Sequence, residues 1–223
     1  MTVNFPTGVL VVWTDVVAEH ETEFNTWYAD EHLPERIAIP GFCNVRRYAG
    51  GGVPKYLTYY ETETAEVLAS ASYTTRLANP SDWTRRVMQW FVATHRCACR
   101  VVANFGHGIG GVAQTITFSM ERAEEAHPAW LVGQALPEAA SHLGCVRVQL
   151  WHYDAAITDQ PNPEEALRPQ PDSAANWVII VEAVADSALQ EIIRPLKIIL
   201  SENGAARIQF QGPYQLLTYL RKE

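Results

Sequence analysis

One passage of the sequence occurs twice, 103 residues apart, and this repeat constrains the fold more than any other feature. The first passage starts at residue 27 and reads Trp-Tyr-Ala-Asp-Glu-His-Leu-Pro-Glu-Arg-Ile-Ala-Ile-Pro-Gly-Phe; the second starts at residue 130 and reads Trp-Leu-Val-Gly-Gln-Ala-Leu-Pro-Glu-Ala-Ala-Ser-His-Leu-Gly-Cys. Both keep an apolar anchor, a proline and a turn glycine, and Tyr48 further on falls on Trp151. A chain of 223 residues has room for two domains, so we divide it into a first half, 1–106, and a second half, 107–223.

Each half is predicted to follow the order β-α-β-β-α-β, which is that of the ferredoxin-like unit. In the first half the predicted strands are 9–14, 42–48, 55–61 and 96–105, and the predicted helices are 19–37, 65–77 and a further one capped by 79–81. In the second half the predicted strands are 112–118, 146–153, 177–183 and 214–220, and the helices are 121–140 and 187–202. Because Pro34 lacks an N–H and clashes with the carbonyl of Asp30, the first helix should kink or end near Leu33.

Two connecting segments need interpretation. The glycine-rich run 106–111 is predicted to be a linker, since a phosphate-binding loop leads into a helix and this run leads into a strand. The proline-rich insertion 155–175 replaces the three-glycine turn 50–52 of the first half. We interpret it as a surface loop, with a lid over a binding site as the alternative.

The charge of the chain argues against some classes of partner. A net charge of −8 and a pI near 5.4, with no concentration of Lys and Arg, oppose nucleic-acid binding. The N-terminal sequence lacks a charged leader and its apolar stretch is too short to span a membrane. Four cysteines are too few for a disulfide scaffold, which favours the cytoplasm.

The two passages differ in their polar residues, and this difference predicts one working site per chain. Polar side chains that occur only in the first passage are Tyr28, Asp30, Glu31, His32 and Arg36, which fall on Leu131, Gly133, Gln134, Ala135 and Ala139. The second half is thus expected to carry a degenerate site.

The motifs of the first passage resemble a known superfamily. An aromatic pair, a His-x-Pro run and a Pro-Gly turn before the second strand, here Trp27-Tyr28, His32-Leu33-Pro34 and Pro40-Gly41, are similar to the pattern of EthD-type members of the dimeric α/β-barrel superfamily. The resemblance implies that two ferredoxin-like units pack their sheets into a barrel, here within one chain. Its members include polyketide cyclases, cofactor-free monooxygenases, muconolactone isomerases and haem enzymes, so the fold alone does not fix the chemistry.

His32 is the predicted general acid/base, because imidazole both takes and gives a proton near neutral pH. The alternative is a structural histidine that satisfies free carbonyls in a last helical turn. Tyr28 lies one turn earlier on the same side and is predicted to share the cleft, either orienting a carbonyl or packing in the core. Glu31 should pair with Arg36 or Arg46, or line a wet cavity, whereas Asp30 should face solvent.

The substrate-binding residues predicted on the strands and on the helix are Trp13, Trp27, Glu31, Arg46, Tyr48 and Tyr60. Strand alternation places Arg46 and Tyr48 on one face of the sheet, and it places Tyr59 and Tyr60 on opposite faces. An arginine in an aromatic cleft suits a carboxylate or an enolate. The sequence leaves open which face meets the helices.

His95, Cys97 and Cys99 alternate along one strand and imitate a set of metal ligands. Strand rise spreads three such ligands too far for a tetrahedral metal, so core packing is the prediction. No motif places a histidine for haem, and we expect neither a cofactor nor a metal.

These observations favour a cofactor-independent enzyme that acts by proton transfer on a small apolar or aromatic carbonyl or carboxylate compound, as a lyase, isomerase or cyclase does. A cofactor-free monooxygenase and a non-catalytic ligand-binding protein are the alternatives, and a docking subunit is a third. The expected partner is a small molecule, not nucleic acid or a membrane, and association of the fused unit into homo-oligomers stays open.

Overall fold

In the computed structural model, which describes residues 5–120, 128–160, 163–169 and 176–223, the chain forms a closed eight-stranded barrel with helices packed against it. The strands are β1 (Gly8–Val16), β2 (Phe42–Gly50), β3 (Tyr56–Thr62), β4 (Phe91–Gly106), β5 (Val112–Met120), β6 (Cys145–Tyr153), β7 (Trp177–Ala183) and β8 (Ala205–Arg221). The helices are α1 (Glu21–Trp27), α2 (Leu33–Ala38), α3 (Ala71–Ala78), α4 (Asp82–Met88), α5 (Leu136–Ser141), α6 (Ala155–Thr158) and α7 (Asp186–Glu202). The predicted α+β class is confirmed.

The barrel closes within one chain. Its strand order is β1-β3-β2-β8-β5-β7-β6-β4, and every neighbouring pair is antiparallel. The four strands of the first half are therefore adjacent in the order 4-1-3-2, and those of the second half follow the order 8-5-7-6. Two seams, β2 with β8 and β4 with β6, join the halves and leave no free edge.

Strand alternation divides the buried side chains into three groups. Val9, Val11 and Trp13 point into the barrel, where they pack against other strand residues. Leu10 points outward and packs beneath the helices of the first half. A separate apolar cluster lies between sheet and helices in the second half.

The sequence predicts a kink or an end of the first helix near Leu33, and the helix does not end there but continues through Pro34 by way of a wider turn. Residues Tyr28–His32 form a π-helical turn in which the N–H of Leu33 bonds to the carbonyl of Tyr28, five residues back. The wider turn tolerates Pro34, which has no N–H to offer the carbonyl of Asp30. The same turn, Leu131–Ala135, precedes the Leu-Pro of the second half.

Several predicted boundaries were wrong. The segment 65–77 is split into a 3₁₀ turn, Ala65–Ala69, and α3, because Oγ of Ser70 caps α3 by accepting the N–H of Tyr73. β4 starts five residues earlier than predicted, and β8 starts nine residues earlier, since one long strand pairs with β5 and then with β2.

Parts of two predictions lie outside the described residues, namely the start of the 121–140 helix and portions of the 155–175 insertion. Among the helices that are described, none is long and apolar enough to cross a membrane.

Candidate functional site

His32 lies at the end of the π-helical turn and points into a cleft between the helices and the sheet. Its side chain is buried, with only 7% of the residue exposed. The imidazole packs against three aromatic rings, with centroid distances of 4.3 Å to Trp27, 5.0 Å to Tyr28 and 6.3 Å to Tyr60. Tyr28 thus shares the cleft with His32, as the helical spacing predicts.

The cleft is small and has a polar lining on an apolar base. Leu10 and Val12 from β1, with Met88 and Phe91, supply its apolar part. The polar or charged lining residues are Tyr28, His32, Arg36, Tyr60, Tyr73, Arg96, Glu164 and Arg168. Its volume of about 30 Å³ admits one or two water molecules and no organic substrate. A ligand therefore requires part of the lining to move.

Burial and neighbouring cations keep His32 neutral. Desolvation, followed by the positive charges of Arg36, Arg47 and Arg76, holds the pKa of the imidazole well below its usual 6.5. Desolvation also raises the pKa of the Tyr28 phenol, and raises that of Tyr60 well above its usual 10.0. At neutral pH the cleft thus contains a neutral imidazole, which is able to accept a proton, beside two protonated phenols.

Three polar atoms in this cleft are buried without a hydrogen-bond partner in the described part of the chain. They are Nδ1 of His32, Nη1 of Arg36 and the hydroxyl oxygen of Tyr60. Buried polar groups are almost always paired, since an unpaired one costs about 1–3 kcal/mol. Three such atoms around one cleft are a concentrated exception. The arrangement suits a ligand with an oxygen that accepts hydrogen bonds.

The insertion between β6 and β7 reaches across to this cleft. Glu164, which is carried by the insertion, forms an ion pair with Nη2 of Arg36, 128 residues earlier in the chain. Both side chains are almost fully buried. Arg36 also lies over the ring of Tyr73, 5.8 Å from its centroid. The second half of the chain therefore completes a site that is otherwise built from the first half.

The sheet separates the predicted substrate-binding residues into two groups. Trp27 and Tyr60 lie on the helix side with His32, whereas Trp13 and Tyr48 lie inside the barrel. Arg46 also points inward, where it pairs with Glu61 at 2.9 Å and with Glu182 at 3.4 Å. These interior side chains cannot contact a ligand beside His32, so the prediction that Arg46 orients the substrate there was wrong.

Arg47, and not Arg46, is the strand arginine on the helix side of the sheet. Alternation points it to the helix side, with its guanidinium carbon 4.1 Å from the centroid of the Tyr28 ring. It also donates a hydrogen bond to Asn25 at 2.7 Å. Sequence reasoning missed Arg47 because the sheet face that meets the helices was undecided. It missed Glu164 because no local pattern indicates where the insertion packs.

Glu31 has a different partner from either of those predicted. Its Oε1 accepts hydrogen bonds from Trp27 Nε1 at 3.1 Å, Ser81 Oγ at 2.5 Å and Thr84 Oγ1 at 2.9 Å. Ser81 is the N-cap of α4, so the carboxylate ties the first helix to the start of α4. Neither Arg36 nor Arg46 pairs with it, because their guanidinium groups are engaged by Glu164 and Glu61.

Of the alternating set on β4, the two cysteines pack in the core, as predicted, whereas His95 does not belong to a core cluster. Cys97 and Cys99 are buried inside the barrel and form no disulfide, and His95 is half-buried. Across residues 5–120, 128–160, 163–169 and 176–223, no group of three or more His, Cys, Asp or Glu side chains is arranged to hold a metal ion.

In the second half, an apolar cluster occupies the corresponding location. Leu131, Ala135 and Ala139, which align with Tyr28, His32 and Arg36, are buried among other apolar side chains. Both halves thus build a helix–sheet layer, and this set of polar residues belongs to the first half alone.

No family model matches the sequence, and no curated protein matches it. Several solved structures, however, are similar to this chain in fold. An anthrone oxidase-like protein aligns with a TM-score of 0.64 at 10% identity, covering 96% of this chain and 92% of that one. A candidate monooxygenase from Fusobacterium nucleatum aligns with a TM-score of 0.63 at 10% identity, covering 97% and 95%. A mutant chlorite dismutase from Candidatus Nitrospira defluvii aligns with a TM-score of 0.56 at 11% identity, covering 95% and 90%.

The chain has a ferredoxin-like, dimeric α/β-barrel fold. Identities this low establish the fold alone, because proteins with this barrel carry out unrelated reactions. The function of a dimeric α/β-barrel has to be argued from its site.

Proposed function

We propose that the chain is a cofactor-independent enzyme that transfers a proton beside the carbonyl group of a small apolar or aromatic compound, as lyases, isomerases and cyclases do. The observation that carries the proposal is a group of three buried polar atoms of His32, Arg36 and Tyr60 around one cleft, none of which has a partner in the part of the chain that the structure describes. Such atoms destabilise a fold unless water or a ligand pairs with them, and a cleft that gathers them is a candidate binding site.

Each of these residues has a role in the proposed reaction. The neutral imidazole of His32 accepts the proton from the carbon next to the carbonyl. The guanidinium of Arg36 and the hydroxyl of Tyr60 donate hydrogen bonds to the carbonyl oxygen as it gains negative charge. Tyr28 and Trp27 pack against the imidazole and against each other, which fixes its position. The imidazolium then returns the proton to the product.

The proposal includes an origin for the single site. We infer that the chain is an EthD-like, tandemly duplicated protein, with one ferredoxin-like domain in residues 1–106 and a second, degenerate one in 107–223. Support comes from the 103-residue sequence repeat, the matching strand orders 4-1-3-2 and 8-5-7-6, and the π-helical turn before each Leu-Pro. Four free cysteines support a cytoplasmic location.

The test is hydrogen–deuterium exchange next to a carbonyl. Small aromatic and aliphatic ketones and keto acids are incubated with the protein in D₂O, and loss of the proton signal is followed by NMR. Exchange above the buffer rate is expected for a subset of compounds, and His32→Gln should slow it by about 10²-fold or more. This assay detects proton abstraction before the complete reaction is known.

A matched substitution separates His32 from histidines in general. His142 is an exposed histidine in the second half, and His142→Gln should exchange at the wild-type rate. If no compound in the set exchanges faster with the protein than without it, or if His32→Gln retains the wild-type rate, the proton-transfer proposal is wrong.

One observation favours a second candidate, a non-catalytic ligand-binding protein. In this conformation the cleft has a volume of only about 30 Å³ and His32 is almost fully covered. For a carrier we expect ligand binding that survives His32→Gln, with no exchange in either protein.

A further inference from the structure

The ion pair between Arg36 and Glu164 is not required by the helix–sheet layer. Ala139, the counterpart of Arg36 in the second half, is buried in an apolar cluster. A buried ion pair contributes little or nothing over apolar packing, since both charges lose their hydration. The pair therefore needs an explanation beyond stability.

Arg36 is only half engaged by its partner. A guanidinium binds a carboxylate best through two parallel N–H bonds. Here Nη2 binds Glu164, whereas Nη1 is buried and has no partner among the described residues. This geometry leaves room on Arg36 for a carboxylate that makes better use of the group.

Glu164 also occupies the space that a ligand needs. It lines the cleft together with His32 and Tyr60, and with its carboxylate in place the volume is about 30 Å³. Arg96 and Arg168 line the same cleft, so three arginines contribute to its lining in a chain whose net charge is −8. This concentration of arginine favours an acid as the ligand.

We infer that the substrate is a small carboxylic acid whose carboxylate replaces that of Glu164 on Arg36, so that Glu164 acts as a built-in competitor. The inference rests on the proposed function for the location of the site. It adds the substrate class and makes Glu164 a specificity-determining residue. Bound in this way, a carboxylate oxygen of the acid is the carbonyl oxygen to which Arg36 and Tyr60 donate, and the carbon next to the carboxylate faces His32.

The test compares benzoate with its neutral isostere benzamide by titration calorimetry. The apparent affinity for benzoate is lower when fewer molecules have Arg36 free of Glu164. Glu164→Gln weakens the contact with Arg36, so this variant should bind benzoate at least about 10-fold tighter than wild type. Benzamide should show no such gain. Arg36→Met, which keeps an unbranched apolar stem and removes the guanidinium charge, should lose benzoate binding.

Glu165→Gln is the matched control, because it removes the same charge from the neighbouring residue, which does not line the cleft. It should bind benzoate like wild type. An equal gain in Glu164→Gln and Glu165→Gln, or no gain in Glu164→Gln, would overturn the inference. If Glu164→Gln does not fold, Glu164→Ala tests the same point: acetate, and not acetamide, should raise its melting temperature, and equal effects of the two would overturn it.

Binding is measured here without turnover, so the two proposals fail separately. Benzoate binding through Arg36 without any proton exchange would retain the inference and contradict the proposed function. Proton exchange of neutral ketones, with no preference for acids, would support the proposed function and contradict the inference about the carboxylate.

Discussion

At the scale of single residues, the burial of His32 makes stability depend on pH. The folded chain holds the pKa of His32 well below 6.5, whereas the unfolded chain takes up this proton near 6.5. The unfolded state thus binds more protons as the pH falls below 6.5, so folding stability should fall from about pH 7 towards pH 5 by up to ~1.4 kcal/mol per pH unit. Urea unfolding at several pH values measures this loss.

The contribution of His32 is isolated by substitution. His32→Gln should flatten this part of the pH dependence, because glutamine does not titrate. His142→Gln, at an exposed position, should leave it as in wild type. A steep dependence that persists in His32→Gln would mean that another group, such as half-buried His95, causes the loss.

The hydroxyls of Tyr60 and Tyr59 are expected to have opposite roles. That of Tyr60 has no hydrogen-bond partner among the described residues, so Tyr60→Phe should change stability by less than about 1 kcal/mol while slowing proton exchange by about 10²-fold. That of Tyr59 donates to Glu182 at 2.8 Å inside the barrel, so Tyr59→Phe should cost about 1.5–3 kcal/mol and leave exchange unchanged in the folded protein. Urea unfolding measures the change in stability and the D₂O assay measures the change in proton exchange. Slower exchange in both variants would contradict the assignment of separate roles to the two hydroxyls.

Comparison of the two passages was enough to single out His32 and Tyr28, because only side chains outside the common fold pattern differ between them. The same comparison could not choose between Arg46 and Arg47. Alternation separates neighbours on a strand without saying which one faces the helices. The role of Glu164 could not be predicted from the sequence, because Glu164 and Arg36 are 128 residues apart and only the folded structure brings them into contact.

At the scale of elements, the turn glycines are fixed by backbone geometry. Gly41 has φ +87°, and a Cβ there would come within 2.6 Å of the Val67 side chain. Gly41→Ala should therefore destabilise the protein by about 1–3 kcal/mol. Gly51→Ala is the control, because nothing lies within 4 Å of a Cβ at that position and its φ is not in the left-handed region. Thermal unfolding of both variants checks this, and equal losses would contradict it.

Most elements could be predicted because their apolar periodicity is strong; β7 agrees with the predicted 177–183 at both ends. The start of β8 was predicted too late because its first part, Ala205–Gln211, has only a weak apolar alternation and lies partly exposed along β5. The π-helical turn was missed because a proline in a helix predicts a break, whereas this helix absorbs Pro34 by gaining a wider turn.

At the scale of the whole molecule, buried ion pairs cross between the halves inside the barrel. Arg46 of the first half contacts Glu182 of the second, and Arg147 of the second contacts Glu61 of the first. The two guanidinium groups hold the pKa of Glu61 at about 2, although its burial opposes this. Stability of either half therefore depends on the other.

Removing one of these charges should affect the whole barrel. Glu182→Gln leaves Arg46 with a weaker partner in a buried setting, so we expect a loss of about 3–5 kcal/mol. Unfolding should remain a single transition by both circular dichroism and tryptophan fluorescence. Glu191→Gln, at an exposed ion pair with Arg194, should lose little. Two separate transitions in wild type would show that the halves unfold independently.

Closure of the barrel by a single chain also affects how the protein can change over evolution. In a barrel made of two identical subunits, every substitution appears twice, and an insertion that contacts the cleft of one subunit is present at the cleft of the other as well. Here the insertion that carries Glu164 contacts one cleft, and the corresponding connection in the first half is the short glycine turn 50–52. A mutation in either half is therefore tested by selection once rather than twice, and the half without the polar cluster is free to acquire parts that regulate the other.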